Sequence, residues 1–397
     1  MIIEGARGAN PPGVARALGV VPTRVYSEVF QGFAPELPAA AVRAAERQPG
    51  VIKIWPDLPV QAESQTLPTG VDRVDADQNS WAASNEDGRT IDADVAVLDT
   101  RIAKHSNLNI QGGKACVGSS YNDNNSHRTH VAGTIAAKDN TDGVVGVSPW
   151  ARLWAVKVLN SSGSGSISSV ICGLDWVYAK RDRIDVVNLS LSGDAVAEDQ
   201  NRCGGGAATP LHRAICKVVD AGVTVVAVGN EDKNAGTRLP ATYEEVITVS
   251  AFTDLDGAPG GQGQSSCASD SDDSFAGFSN YGADIGMAAS GACIRSTWLN
   301  GKYQSLSGTS IAAAHVTGAV VLYLAKGRGP GTPADVRLVL DRSLAASRLR
   351  VRVHGGSRQL SRTSSLPPSG VTSTGILRRT AKGRSVSCRE VPSRRSP

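Results

Sequence analysis

The first part of the chain shows two strand-like apolar patterns on either side of one helical pattern. Residues 25–30 alternate between apolar and polar positions, as a half-buried strand does. Residues 37–48 form an amphipathic helical pattern rich in Ala and Arg, and residues 51–55 are a second strand. This arrangement predicts a small α+β unit over residues 1–64, with a linker at residues 59–68.

From about residue 65 the pattern changes to short apolar strands that alternate with helical stretches. Strands without polar alternation are buried on both faces, which is typical of parallel sheets covered by helices. The strands are predicted at residues 93–98, 153–158, 186–191 and 223–228, and the helices at residues 129–137, 166–181 and 210–221. We therefore predict an α/β domain over residues 65–345, with a mostly parallel sheet flanked by helices.

Polar residues follow two of these strands, at the edge where parallel sheets bind ligands. Asp99 ends the first strand and Asn230 follows the last, while His127 begins a helix of small residues. Ser310 follows a Gly-Thr pair and precedes a buried helical run, so free N–H groups can stabilise negative charge beside its hydroxyl. Serine is a weak nucleophile, so this hypothesis requires a base, a group that orients the base and an oxyanion donor.

The order Asp, His, Asn, Ser resembles the subtilisin-like serine peptidases, close to the proteinase K branch. The resemblance covers about residues 24–340. It is most specific in Ala96-Val97-Leu98-Asp99-Thr100, in residues 127–134, in Val187-Asn188-Leu189-Ser190-Leu191, in Phe278-Ser279-Asn280-Tyr281-Gly282 and in residues 308–318. It implies Ser310 as nucleophile, His127 as general base and then acid, and Asp99 as the group that orients His127. Asn230 and the Ser310 backbone N–H would form the oxyanion hole.

The same resemblance implies a serine endopeptidase made as a self-processing zymogen. Residues 31–57 resemble the inhibitory propeptide, whose first strand we expect to be truncated or altered here, and self-cleavage is expected near residues 61–65. The chemistry would need no cofactor, and the partners would be peptide or protein substrates and the chain's own propeptide as inhibitor. We expect a monomer.

Substrate binding is assigned by the same resemblance to exposed main-chain edges that pair with an extended peptide. The residues are Gly163, Ser164, Gly165, Ser190, Leu191, Ser192, Gly193, Ala227, Val228 and Gly229. For each Gly-Ser stretch the alternative is an ordinary surface loop.

Three residues depart from the family pattern. Arg101 and Arg128 stand where the family has glycine, and Ala314 stands where it has proline. Alanine suits a helix, whereas Arg128 should crowd the His127 and Ser310 helices and extend its guanidinium into the cleft. A cation so near His127 disfavours the imidazolium that catalysis requires. The second hypothesis is therefore a catalytically impaired or inactive homologue that only binds peptides.

One loop resembles a calcium site of some family members. Its candidate ligands are Asn140, Asp142 and Val144, although Lys138 is an unfavourable neighbour and the EF-hand pattern is absent. Calcium at this loop would be structural. The spacing of His127 and His130 does not fit a zinc motif, and the resemblance implies a structural role for His130.

Seven cysteines occur without paired C-x-x-C spacing, which argues against a zinc site. Three disulfides would suit an oxidising compartment, and the residues alone leave several pairings open. Proximity and resemblance suggest Cys116 with Cys172, Cys203 with Cys216 and Cys267 with Cys293, which leaves Cys388 over. The alternative is free buried thiols.

The net charge of +4 hides an asymmetry between the body and the end of the chain. Residues 346–397 contain twelve Arg or Lys and one acid, Glu390, so the remainder is acidic overall. A segment of this composition is typical of a disordered tail, with nucleic-acid or membrane contact as the alternative. The acidic body argues against nucleic acid, and no run of about 18 apolar residues is present to span a membrane. We expect an extracellular protein from the family resemblance and the cysteines, although the first residues lack signal-peptide features.

Overall fold

The computed structural model contains an N-terminal α+β unit followed by a larger α/β unit. It describes residues 1–27, 30–56, 65–79, 82, 91–100, 102–118, 126–195, 203, 209–227, 229–264 and 267–325. Most of the predicted linker, the predicted cleavage region before Gln65 and the whole basic tail lie outside these residues.

The N-terminal unit is a four-stranded antiparallel sheet with two helices. Its elements are β1 Ile2–Gly5, α1 Pro11–Ala17, β2 Pro22–Tyr26, β3 Gly32–Pro35, α2 Ala39–Ala45 and β4 Val51–Trp55. The strand order is β2-β3-β1-β4. Ile3, Ala15 and Phe33 form its small buried core.

The pattern of apolar residues in the sequence predicted some of the strands and helices of this unit. β4 has the predicted bounds, β2 begins three residues before the predicted strand, and α2 is shorter than the predicted helix. The expectation of a truncated or altered first strand stays a prediction, and β1 is a short strand that pairs with β3 on one side and with β4 on the other. β1 has four residues, of which only Ile3 is buried, so its sequence shows no alternation.

Seven parallel strands form the central sheet of the larger unit. They are β5 Asp94–Asp99, β6 Ile110–Ala115, β7 Arg152–Lys157, β8 Val186–Leu189, β10 Thr224–Ala227, β12 Ile247–Phe252 and β13 Met287–Ser290. Their order is β13-β12-β10-β8-β5-β7-β6, and each neighbouring pair is parallel. The predicted α/β class is confirmed, and the four predicted strands lie within two residues of their expected bounds.

Short antiparallel pairs and helices complete this unit. The pairs are β9 Gly193–Asp194 with β11 Arg238–Leu239, and β14 Ile294–Thr297 with β15 Tyr303–Leu306. The helices are α3 Thr69–Arg73, α4 His127–Ala136, α5 Ile167–Tyr178, α6 Pro210–Asp220 and α7 Thr309–Ala325, with 3-10 turns at Ala235–Thr237 and Leu299–Gly301. No helix of the described residues combines the length and the hydropathy that a membrane crossing requires.

The central strand β5 explains why both faces of the sheet are covered. Val95 and Val97 belong to the apolar cluster that includes α4 and α7, whereas Ala96 and Leu98 belong to the cluster with α5 and α6. Successive side chains of a strand point to opposite faces, so a strand with apolar residues at every position requires cover on both. Helices packed on both faces therefore fix the position of the sheet edge at which β5 ends with Asp99.

Three disulfides join separate segments of the larger unit. They pair Cys116 with Cys172, Cys203 with Cys216, and Cys267 with Cys293. The pairing that the resemblance implied is confirmed, and the alternative of free thiols is wrong for these six residues. Cys388 lies outside the described residues.

Candidate active site

Three distant segments bring their functional side chains to one edge of the central sheet. Asp99 is the last residue of β5, His127 is the first residue of α4, and Ser310 is the second residue of α7. The carboxyl ends of parallel strands share one edge, and α4 packs directly against α7. The convergence therefore follows from the topology.

The histidine lies between the serine and the aspartate. His127 Nε2 is 2.7 Å from Ser310 Oγ, which is hydrogen-bond distance. His127 Nδ1 is 3.5 Å from Asp99 Oδ2, a longer contact than a normal hydrogen bond. Burial lowers the pKa of His127, so the imidazole is neutral over a wider pH range and can accept the Ser310 proton.

A second cation competes for the same aspartate. The Arg128 guanidinium contacts Asp99 Oδ1 through one of its terminal nitrogens, and the Thr100 backbone N–H donates to the same oxygen at 2.7 Å. Asp99 is almost completely buried, so its carboxylate has few other partners. The contact with Arg128 holds one carboxylate oxygen, and the other faces His127 at the longer distance.

Arg128 does not extend into the cleft, which corrects the expectation from its sequence position. Its side chain is 0% exposed, and residues 128–136 of α4 are all buried. A buried guanidinium requires an anion, and Asp99 is the carboxylate that it contacts within the described part of the chain. Burial lowers the pKa of Arg128 well below its usual range.

α4 is tied to the neighbouring hairpin, which fixes where His127 stands. Thr297 Oγ1 donates to the Thr129 carbonyl at 2.6 Å, and Ser296 Oγ donates to the His130 carbonyl at 2.8 Å. A Cβ on Gly133 would come within 2.3 Å of Thr297 Oγ1, so this close approach requires glycine. The first turn of α4, which carries both His127 and Arg128, is therefore held in place against the hairpin.

His130 has a structural environment, as the resemblance implied. Its Nε2 lies 2.8 Å from the Ile294 carbonyl, and the residue is fully buried. Burial lowers the pKa of His130 to about 4. This imidazole is neutral near neutral pH and ties α4 to β14.

Asn230 is oriented by Thr309, a residue that the sequence reading did not single out. Its Oδ1 accepts from the Thr309 backbone N–H at 2.7 Å and from Thr309 Oγ1 at 2.6 Å. Nδ2 lies on the opposite side of the amide, 3.6 Å from the position that a Cβ on Gly308 would take. That position is also 3.2 Å from Ser310 Oγ, so the amide N–H donors lie close to the nucleophile.

The other departures from the family pattern have different outcomes. Ala314 is buried within α7, which continues without interruption, so alanine is tolerated there as expected. Arg101 lies outside the described residues.

The first predicted substrate segment is an exposed turn with its own hydrogen bonds. A Cβ on Gly163 would meet nothing within 4 Å, so the turn has open space beside it. The Ser164 N–H donates to Asn160 Oδ1 at 3.0 Å, and the Ser164 carbonyl accepts from the Asn160 N–H at 2.8 Å. Gly165 forms an antiparallel bridge with Leu159. The main-chain groups of Ser164 are thus engaged inside the turn.

The other two predicted substrate segments follow neighbouring strands. Ser190, Leu191 and Ser192 connect β8 to β9, and Asn188 Nδ2 donates to Ser190 Oγ at 2.9 Å. Gly193 pairs with Leu239, yet a Cβ on Gly193 would meet nothing within 4 Å. Ala227 ends β10 and Gly229 is buried, whereas Val228 lies outside the described residues. Because β8 and β10 are adjacent parallel strands, residues 190–193 and Gly229 leave the sheet side by side at the edge that holds Asn230, and we call them the first and second wall.

The predicted calcium loop closes around a residue that the sequence reading missed. Gln65 Nε2 lies near four oxygens: the Lys138 carbonyl at 2.7 Å, Val144 carbonyl at 3.2 Å, and Asn140 Oδ1 and Asp142 carbonyl at 3.3 Å. An amide nitrogen has two hydrogens and cannot serve four acceptors. Lys138 Nζ donates instead to the Ser106 carbonyl and lies over the Trp150 ring, so its charge points away from these oxygens.

Two other groups of metal-ligating side chains occur in the described residues. One contains Cys203, His212, Cys216 and Glu245, but its two sulfurs are joined in a disulfide. The other contains Asp254, Asp256 and Asp272, with the Arg73 guanidinium 3.5 Å from Asp254. In that group an arginine already supplies the positive charge.

Comparisons with known proteins agree with this geometry. Residues 91–365 match the Subtilase family. The chain is 38% identical to Subtilisin DY of Bacillus licheniformis over 66% of this chain and 86% of that protein. It is 38% identical to an alkaline protease of Shouchella clausii over 74% of this chain and 69% of that protein. A crystal structure of a cold-adapted subtilisin-like serine proteinase superposes with a TM-score of 0.56 at 28% identity, covering 76% of this chain and 97% of that one.

We predict that Arg128→Gly raises the pKa of His127. A neighbouring cation disfavours the protonated imidazole, and Asp99 without Arg128 is free to bind Nδ1–H, so both effects act in the same direction. NMR titration of the His127 ring protons should give a wild-type pKa below the ordinary value of about 6.5 and a higher one in the variant.

Two matched variants separate charge from volume in this measurement. Arg128→Met keeps most of the volume and removes the charge, so it should also raise the His127 pKa. Arg152→Met removes an ion-paired arginine at the opposite end of the sheet and should leave it unchanged. A His127 pKa that is equal in wild type, Arg128→Gly and Arg128→Met would contradict the electrostatic argument.

Proposed function

This chain belongs to the subtilase family and is a serine-type endopeptidase, and from that premise we propose that it cleaves peptide bonds through Asp99, His127 and Ser310. The observation that carries this proposal is the 2.7 Å contact between His127 Nε2 and Ser310 Oγ. It joins a nucleophile to a neutral base, which is the arrangement that acyl transfer requires.

In the proposed mechanism His127 takes the Ser310 proton as Oγ attacks the scissile carbonyl carbon. The carbonyl π electrons move to oxygen, and Asn230 Nδ2 and the Ser310 N–H donate to the resulting oxyanion. His127 then protonates the leaving amine, which leaves an acyl group on Ser310. Water repeats the sequence with His127 again as base, releasing the acid and restoring Ser310. Asp99 stabilises the imidazolium in both halves.

A second candidate function, an impaired peptidase that mainly binds peptides, is favoured by Arg128. The Asp99 carboxylate has to stabilise the Arg128 guanidinium in addition to the transient imidazolium. The cation also opposes the imidazolium directly, which raises the barrier of each proton-transfer step. Arg101, two residues after Asp99 in sequence, stands in place of a second family glycine and was the other ground for expecting impairment.

We also propose that the N-terminal unit is an inhibitory propeptide and that the protein is a self-processing zymogen. The support is a separate α+β fold with its own core that precedes the peptidase domain. Cleavage near residues 61–65 would leave the new N-terminus beside Gln65, which is anchored in the loop of residues 138–144. The closer kinship with the proteinase K branch stays a prediction, as does the monomeric state. The disulfides support an extracellular location.

We further propose that calcium binds where Gln65 meets the loop of residues 138–144. The four oxygens around Gln65 Nε2 are carbonyl and amide oxygens, which suit a hard cation. Nitrogen and oxygen of an amide exchange by a half-turn, and Gln65 would then add its own oxygen to the set. Bound calcium would stiffen the loop and supply nothing to the peptidase chemistry.

The active-site proposal is tested by fluorophosphonate labelling read by intact mass. Wild type should be labelled once, Ser310→Ala should not be labelled, and Arg128→Gly should be labelled at least about tenfold faster, because a positioned base contributes roughly 10²–10⁴-fold. No labelling of folded wild type or Arg128→Gly would reject an activated Ser310. Equal rates in wild type and Arg128→Gly would reject the inhibitory role of Arg128.

Asn230→Ala should lower kcat by about 10²–10³-fold with little change in KM, because the lost hydrogen bond forms in the transition state. Thr309→Ala should cause a smaller loss, since Thr309 only orients the amide and its backbone N–H is retained. Hydrolysis of one chromogenic peptide at several concentrations separates the two constants. A rise in KM with unchanged kcat would place Asn230 in ground-state binding instead.

Calcium should raise the melting temperature of the Ser310→Ala protein, a form that cannot digest itself. At about 100 times the dissociation constant the stabilisation is roughly 2.7 kcal/mol, or several degrees for a domain of this size. Calorimetric scans with calcium, magnesium or EGTA should show the rise with calcium alone. Asn140→Ala should abolish it, and an identical calcium response in that variant would refute the site.

A further inference from the structure

An ion-paired cluster connects the two walls beside Asn230. Its centre is Arg238 in β11, whose side chain is 9% exposed. Arg238 contacts two carboxylates, Asp194 and Glu231, and neither belongs to the triad. The cluster is outside the proposed catalytic machinery, yet it adjoins both substrate segments.

The first wall, residues 190–193, is attached to Arg238 through Ser192 and through the pairing of β9 with β11. Arg238 Nε donates to Ser192 Oγ at 3.1 Å, and one terminal nitrogen contacts Asp194 Oδ1. The backbone adds to this attachment, because Arg238 is in register with Asp194 and Leu239 with Gly193. The guanidinium is therefore anchored at the end of the segment formed by residues 190–193.

The second wall is attached to Arg238 through Glu231, the residue after Asn230. Arg238 Nη2 donates to Glu231 Oε1 at 2.9 Å, and Asn280 Nδ2 donates to Glu231 Oε2 at 2.7 Å. A Cβ on Gly229 would lie 2.8 Å from Glu231 Oε2 and 1.9 Å from Asn280 Nδ2. The carboxylate thus sits directly against the main chain of Gly229, with Arg238 reaching across to Ser192.

We propose that Arg238 closes the far end of the P1 subsite, so that this peptidase selects short P1 side chains over aromatic ones. This inference rests on the proposed function. With the scissile carbonyl at Asn230 and Ser310, the P1 side chain leaves from the adjacent Cα between the two walls. The open space beside Gly193 receives its first atoms, and the guanidinium that spans Ser192 and Glu231 limits its length.

Displacing this guanidinium costs free energy, so it sets a fixed far end for the P1 subsite. Its three nitrogens each have a partner on a different side chain, and two of the contacts are ion pairs. An aromatic P1 ring would have to break the contacts of the buried guanidinium with Ser192 and Glu231, or stop short and leave its own surface in water. The ion pair with Asp194 contributes less, because that side chain is 87% exposed. A methyl-sized P1 side chain requires neither.

The charge of the cluster disfavours an acidic P1 residue as the alternative occupant. Two carboxylates surround one guanidinium, so the group carries a net negative charge when both are ionised. Although burial alone would raise the pKa of Glu231, hydrogen bonds from Asn280 and Ser192 and the charge of Arg238 lower it, so the carboxylate stays ionised. An acidic P1 side chain would therefore gain no net attraction from the cluster.

The test compares p-nitroanilides of succinyl-Ala-Ala-Pro-X with X as Ala, Phe, Glu or Lys. For wild type we expect the Ala substrate to have a higher kcat/KM than the Phe and Glu substrates. Arg238→Gly should raise the Phe to Ala ratio at least about tenfold, since pocket volume of this order discriminates by roughly 10–200-fold. Arg238→Met keeps most of the length but loses the contacts that hold the guanidinium in place, so the ratio should rise by less than in Arg238→Gly.

A control variant at another ion-paired arginine shows whether a change in the Phe to Ala ratio is specific to Arg238. Arg152→Gly removes an ion-paired arginine at the opposite end of the sheet and should leave the ratio unchanged. A Phe to Ala ratio that is equal in wild type and Arg238→Gly, or that rises equally in Arg238→Met, overturns the proposal. So does a wild-type preference for Phe, Glu or Lys.

The same peptides separate failure of this inference from failure of the proposed chemistry. Their binding to Ser310→Ala and to Ser310→Ala with Arg238→Gly is measured by titration calorimetry. If wild type hydrolyses none of them, the proposed chemistry fails, but the dissociation constants still decide the role of Arg238. The Phe peptide should gain at least about tenfold in affinity over the Ala peptide when Arg238 is removed, and no gain would overturn the inference.

Discussion

The structure depends on burying a parallel sheet from both sides. Between Asp94 and Asp99, β5 places alternate apolar residues in two separate cores, so its polar residues stand only at its two ends, with Asp99 at the carboxyl edge of the sheet. Of the four helices that supply this cover, α4 and α7 on one face begin near the same edge. Catalytic side chains at helix starts and strand ends are therefore a consequence of how the core is covered, and their positions are as rigid as the packing.

This rigidity makes the Asp99 carboxylate the electrostatic centre of the site. A buried carboxylate and a buried guanidinium stabilise each other, and breaking such a pair typically costs about 3–5 kcal/mol. The folded state thus favours the contact between Asp99 and Arg128, while turnover favours the contact between Asp99 and His127. A residue that benefits folding at this position is unfavourable for general-base catalysis, because both contacts draw on the negative charge of one carboxylate.

The sequence predicted the features that show as a pattern of several residues, and it missed side-chain positions that are set by a single contact in the fold. The fold class, four central strands and the residues at their ends follow from apolar runs and from the position of polar residues after them. β1 and β6 were missed because one has a single buried residue and the other contains Gly112 and Gly113 in a half-exposed strand. The direction of the Arg128 side chain was wrong because a pattern of residue types does not show that a carboxylate lies within reach inside the protein. Gln65 and Thr309 were missed since each acts through one side chain on a distant loop.

Arg128 and Arg238 show that the effect of a buried arginine depends on where its counter-charge comes from. Both guanidinium groups are nearly or completely buried beside the same cleft, and each must be neutralised locally. Arg238 has Asp194 and Glu231, which have no part in the proposed proton transfers, so it can shape the subsite without altering the base. Arg128 shares the carboxylate that His127 needs, so the same residue type weakens the chemistry. The number of carboxylates within reach, rather than the distance of each arginine from Ser310, decides which of the two perturbs catalysis.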